Sequence, residues 1–193
     1  MREVEVLRSR RKTLSAWIRE GKIEVRAPLG TTDAEIRLFL EKHRAWLEKH
    51  LLEARALKQA KAGMRRLSRA EIKLLKEKAM KVIPERAAYF APLIGVTYGR
   101  ISVRCQKTRW GSCSAKGDLS FNCLLMLAPA GVIDSIVVRE LCHRKVMNHS
   151  GRFYAEVLRV MPDYRQHRDW LKEHGEMLLA MAETTSKDGN GYD

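Results

Sequence analysis

The sequence predicts an α+β protein with small antiparallel sheets and an apolar helix that ends in charged and histidine side chains. Three observations carry that reading. Apolar residues alternate with period two near the N-terminus and again after Val96, two capping boxes precede stretches of helical spacing, and a broad apolar helix follows Pro129.

The first 30 residues read as a β unit of about three antiparallel strands. Val4 and Val6 alternate, Gly21 marks a bend, and Ile23, Val25 and Ala27 alternate before Pro28. The basic run Arg8, Arg10, Arg11, Lys12 is expected at its first turn or edge. Thr32 with Glu35 forms a capping box, so a helix starts near Asp33 and carries Ile36, Phe39, Leu40, Trp46 and Leu47. Ser68 with Glu71 opens another helix bearing Ile72, Leu75, Ala79 and Val82. Pro84 and Pro92 then predict a kink or a renewed start.

Residues 31–95 thus form a basic helical region, and 51–82 alone carry ten basic against three acidic residues. Arg69, Lys73 and Lys76 are the candidate contacts for a polyanion such as nucleic acid, and a solvated helical face is the simpler alternative.

From residue 96 to 183 a second sheet region precedes the apolar helix. Ile101, Val103 and Cys105 alternate, as do Leu119, Phe121 and Cys123, with turns near Lys107 and Gly117. Val132, Ile133, Ile136, Val137 and Leu141 define the buried face of the helix after Pro129. A short helix around Phe153 and Val157 and a longer one from Tyr164 toward Ala182 complete a single domain over 1–183, and the polar residues 184–193 read as a disordered tail.

The 193 residues include 37 Lys plus Arg and 23 Asp plus Glu, a net charge of +14. That balance admits a polyanionic partner without naming one. No apolar run reaches spanning length and the N-terminus has no signal core, so a cytoplasmic protein with no membrane partner is expected. The four cysteines contain no CxxC pair. Their even count allows two disulfides, while the absence of a signal core favours free, partly buried thiols.

The stretch VVRELCHRKVMNHS at 137–150 concentrates the chemistry. On a helix Arg139, Glu140 and His143 share adjacent parts of one surface, and His149 follows across a turn marked by Asn148. A glutamate and two imidazoles brought together can act as a base and metal ligands, although capping or ordinary polar roles fit the same residues. RELCH resembles the motif HExxH with its first histidine replaced. RWGSCSAKGDLSFN at 109–122, LAPAGVIDSIVV at 127–138, NHSGRFY at 148–154 and MPDY at 161–164 resemble successive motifs of the YgjP-like metallopeptidase family, and SRRKTLSAWIREGKIEVRAP at 9–28 resembles its N-terminal sheet.

The resemblance implies a zincin-like fold and zinc-dependent hydrolysis of a peptide or protein substrate. Glu140 matches the general base, and His143 and His149 match the second and third ligands of one Zn2+ ion. The first-ligand position is Arg139. A guanidinium offers five donors and no lone pair, so it cannot replace an imidazole on zinc. The chain has therefore lost the activity, carries an altered ligand, or recruits another donor from His167, His174, Asp163, Asp169 or Cys142; a catalytically impaired homologue that binds nucleic acid or protein is the alternative function. Arg109, Trp110, Gly111 and Ser112, between predicted strands, are the candidate substrate edge. Tyr164, His167 and Trp170 are candidates for the facing wall.

Overall fold

The computed structural model describes residues 4–19 and 21–182. The 184–193 tail lies outside them. The chain divides into two compact units, Met1–Met64 and Arg65–Asp193. The boundary falls inside the 31–95 stretch that the sequence groups as one helical region.

The first unit contains β1 (Val4–Ser9), β2 (Ser15–Arg19), β3 (Lys22–Pro28), α1 (Asp33–Lys42) and α2 (Arg44–Ala62). Its strand order is β1-β3-β2, with β1 parallel to β3 and β2 antiparallel to it. The sheet is therefore mixed where antiparallel pairing was expected. The reason lies in burial: Ile23, Val25 and Ala27 make β3 the most buried strand and draw it to the centre, while Leu7 leaves β1 exposed enough for an edge. Gly21, at φ 79°, supplies the left-handed residue that turns β2 into β3. The basic side chains Arg10, Arg11 and Lys12 occupy the connection between β1 and β2, as the run at the first turn implies.

Thr32 and Glu35 cap α1 reciprocally, the Glu35 amide donating to the Thr32 hydroxyl at 3.3 Å and the Thr32 amide to the Glu35 carboxylate at 2.7 Å. The helix stops at His43, so Trp46 and Leu47 belong to a separate helix. Ile36, Leu47 and Leu51 close over β3 to form this unit's core.

In the second unit α3 (Arg69–Ile94) precedes β4 (Ile101–Arg104), β5 (Gly111–Cys113) and β6 (Leu119–Asn122), then a turn of 3-10 helix at Cys123–Leu127, α4 (Ala130–Cys142), α5 (Gly151–Val160) and α6 (Tyr164–Met181). Ser68 and Glu71 cap α3, and the helix continues through Pro84 and Pro92, so the renewed start offered as one of two expectations does not occur. An interior proline costs about 3 kcal/mol, whereas each large apolar side chain fully buried returns about 1.5–3 kcal/mol. The stripe Ile83, Phe90 and Ile94, with Ala79 and Ala87, is buried against the core and outweighs that cost. Gly95, at φ 78°, ends the helix, its amide donating to Ala91 at 2.9 Å.

The second sheet has order β4-β6-β5, with β4 parallel and β5 antiparallel to β6, so it too is mixed. Leu119 and Phe121 bury β6 at its centre. Arg86 on α3 grips Asp134 on α4 in a bidentate pair at 2.6 and 2.7 Å, which fixes the helix that carries the chemistry. Among the described residues no helix is long and apolar enough to cross a membrane.

Candidate functional site

A cavity of about 520 Å³ opens in the second unit between the last turn of α4, the 143–150 turn, β5 and α6. Glu140 lies one turn from the end of an apolar helix, so its carboxylate is carried inward and only 1% of its side chain is exposed. His143 caps the end of α4, and its Nδ1 lies 3.1 Å from the Val146 carbonyl. A carbonyl only accepts, so Nδ1 carries the proton and Nε2 keeps its lone pair. His149 sits across the turn, which Asn148 steadies by accepting the Ser150 amide at 3.3 Å. The two imidazole centroids are 4.9 Å apart, and Phe153 of α5 stacks on His143 at 4.5 Å and meets His149 edge-on at 5.0 Å.

Arg139 spans this group. One guanidinium nitrogen pairs with Glu140 and the other lies 2.8 Å from His149 Nε2. Since guanidinium only donates, His149 Nε2 is the acceptor, and its lone pair is taken by Arg139. Adjacent helix positions do not normally face each other, and the pair forms because both side chains bend into the cavity. Burial raises the Glu140 pKa, opposed by the Arg139 charge and hydrogen bond. Burial lowers the His143 pKa, against the bond to Val146 and together with the Arg139 and His149 charges. Burial lowers that of His149 as well, with Arg139 acting in the same direction. The imidazoles are thereby held toward their neutral form.

The arrangement does not fit a zinc ion. Zinc needs imidazole lone pairs, and of the two matching histidines one already spends its lone pair on a cation that would also repel the metal. Among the described residues no group of three or more His, Cys, Asp or Glu side chains is arranged to hold a metal. The substitute donors do not line the cavity. His167 is bonded to Asp163 at 3.0 Å, His174 stacks on Trp170 at 4.4 Å and bonds its carbonyl, Cys142 is fully buried, and Asp169 pairs with Arg168 at 2.7 Å.

The candidate substrate edge does face the cavity: Arg109, Trp110, Gly111 and Ser112 all line it. Gly111 is needed there because a Cβ would come within 2.7 Å of Glu140 Cγ. β5 is an edge strand, with β6 on one side. Of the proposed facing wall only Tyr164 lines the cavity, while His167 and Trp170 do not. Sequence reasoning missed Arg168 and Leu171, which follow Tyr164 at i+4 and i+7 on α6 and join it at the wall. It also missed Asn122, fully buried, whose Nδ2 donates to the Gln106 and Arg109 carbonyls at 2.8 and 2.9 Å and so shapes the loop into β5. Arg69, Lys73 and Lys76 lie on α3 as an exposed stripe outside the cavity.

A comparison with curated proteins finds no match. Solved structures similar to the chain include the metallopeptidase zymogen of Pyrococcus abyssi abylysin, at 19% identity and TM-score 0.45, covering 48% of this chain and 93% of that one. Another is the metallopeptidase zymogen of Methanocaldococcus jannaschii jannalysin, at 17% identity and TM-score 0.43, covering 48% of this chain and 96% of that one. The family profile described as YgjP-like, metallopeptidase domain matches residues 12–75 and 53–174. With most of its length matched, the chain belongs to the YgjP-like metallopeptidase domain family.

Proposed function

We propose that this chain holds an extended peptide in the α4–β5 cleft and, with arginine at position 139, does not hydrolyse it. The observation that carries the reading is the double engagement of Arg139, which pairs with Glu140 and donates to His149 Nε2 at 2.8 Å. The same side chain therefore holds the residue that matches the general base and the one that matches the third ligand. Guanidinium pairing also favours the ionised carboxylate and lowers its basicity. What remains is recognition chemistry. The edge strand β5 lines the cleft and can offer backbone hydrogen bonds to a peptide added alongside it, while Trp110 and Leu171 supply apolar wall.

In a chain with histidine at 139, His143 and His149 would complete a three-imidazole set, and bound zinc would supply Lewis-acid activation there. The test measures zinc content and cleavage of an unfolded peptide side by side for the original chain, Arg139→His, and Arg139→His with Glu140→Gln, all at equal zinc. The original chain is expected to retain no stoichiometric zinc and to cleave nothing. Arg139→His is expected to retain one ion and gain cleavage, and Glu140→Gln to remove cleavage with the ion kept. Stoichiometric zinc in the original chain, unchanged by Arg139→His, would refute the reading.

A further inference from the structure

We propose that Cys105 and Cys123 are a reversible redox pair, which a low-molecular-weight disulfide such as oxidised glutathione converts to an intramolecular disulfide at the neck of the segment that carries β5. The geometry comes from the second sheet. β4 and β6 run parallel with Arg104 opposite Asn122, and each cysteine is the residue that follows this last paired position. Paired strands lie about 4.8 Å apart, a spacing at which a disulfide can bridge neighbouring backbones. Cys123 belongs to the core of the second unit, and Cys105 packs against that same core.

Their surroundings divide the roles. Cys105 is half-buried and reachable by a small reagent, whereas Cys123 is fully buried. The Cys123 thiol draws the Cys105 pKa down to about 7 against burial, with the Lys76 ammonium assisting, while Cys105 and burial drive that of Cys123 upward. Cys105 is therefore the attacking thiolate and Cys123 the resolving thiol. The other two cysteines are poor competitors, because burial raises the Cys113 pKa and pushes that of Cys142 up to about 12.

The Cys105 thiolate attacks one sulfur of glutathione disulfide. That S–S bond breaks, one glutathione thiolate leaves, and a mixed disulfide forms on Cys105. Cys123 then gives its proton to solvent and attacks the Cys105 sulfur, releasing the second glutathione thiolate. The departing thiolates take up protons, so two protein thiols are oxidised and one glutathione disulfide is reduced to two thiols. The new bond closes a loop whose ends Asn122 already gathers through the Gln106 and Arg109 carbonyls. It would fasten the cleft wall from Arg109 to Ser112 covalently at its base.

The folded full-length chain is incubated with oxidised glutathione, its remaining thiols are blocked without denaturant, and the digest is mapped by mass. The expected product has lost the mass of two hydrogens, contains one cross-linked peptide joining Cys105 to Cys123, and reverts with dithiothreitol. Cys123→Ser is expected to stop at a glutathione adduct on Cys105, and Cys105→Ser to slow total reaction by about tenfold. The map of the original chain is decisive even if a variant folds poorly. A lasting glutathione adduct on Cys105 in that chain, linkage to Cys113 or Cys142, or no reaction would overturn the proposal.

Discussion

Replacing Arg139 with alanine removes the charge partner of a carboxylate that is 1% exposed, while Arg139 itself is 27% exposed. Breaking a buried pair from one side costs about 3–5 kcal/mol, and the partial exposure of Arg139 brings the expected loss to about 2–3 kcal/mol at neutral pH. The loss should depend on pH in a defined sense. Burial already raises the folded-state pKa of Glu140, and Arg139 is the group that opposes the rise. Without it the folded chain keeps the Glu140 proton at pH values where the unfolded chain has released it. Stability therefore falls as pH climbs from the ordinary glutamate value, about 4.3, through the raised folded value, and below that window no penalty exists. Arg139→Ala should be closer to the original chain at about pH 5 than at about pH 8. The assay is a urea series read by amide hydrogen exchange in α4 peptides, since Trp17 and Trp46 of the first unit would mix into total fluorescence. Adding Glu140→Gln, which removes the charge at nearly constant shape, should recover most of the loss at the higher pH. Equal destabilisation at both pH values, or no recovery by the second change, would refute the reasoning.

Asn122→Ala leaves the Gln106 and Arg109 carbonyls without their donor and should cost about 2–3 kcal/mol, checked by urea midpoint and by faster proteolysis between residues 105 and 110. Gly111→Ala drives a methyl into Glu140 and should destabilise the second unit by about 1–3 kcal/mol, with peptide binding lost in a fluorescence titration. Ser68→Ala removes the cap of α3 and should lower stability by about 1 kcal/mol in thermal unfolding. If duplex DNA engages Arg69, Lys73 and Lys76, three phosphate contacts give a log–log salt slope of about −2.7 in filter binding, and neutralising all three should abolish it without altering peptide binding.

The legible parts of this chain are those set by neighbours in sequence. The starts of α1 and α3 follow from Thr32 with Glu35 and Ser68 with Glu71, because a cap is a contact across three residues. Strand direction is a different matter. Period two shows that β1 and β3 are strands but not which will be central, and central placement is decided by how much apolar surface each must bury. The continuous α3 has the same origin, since local proline chemistry argues for a kink or a renewed start and tertiary burial carries the helix on. At the site, helical spacing groups Arg139, Glu140 and His143, but the reach of the guanidinium to His149 depends on how the 143–150 turn returns the chain. Arg168 and Leu171 were recoverable from helical spacing once Tyr164 was chosen. Asn122 had no such signal: a single buried amide at a strand end leaves no periodic trace.

Both sheets place their third strand in the middle, and this sets an order of events during synthesis. The ribosome delivers β1 before β2 and β3, and β4 before β5 and β6, so in each unit the first strand emerges with no partner to pair with. Short-range closure favours the β2–β3 and β5–β6 hairpins, which can form within microseconds of their last residue becoming free. The waiting strand then docks in parallel onto an edge that its own successors have built. Until β3 or β6 clears the exit tunnel, the strand delivered first lacks the neighbour it pairs with in the folded sheet, and an unpaired strand edge is open to wrong pairing.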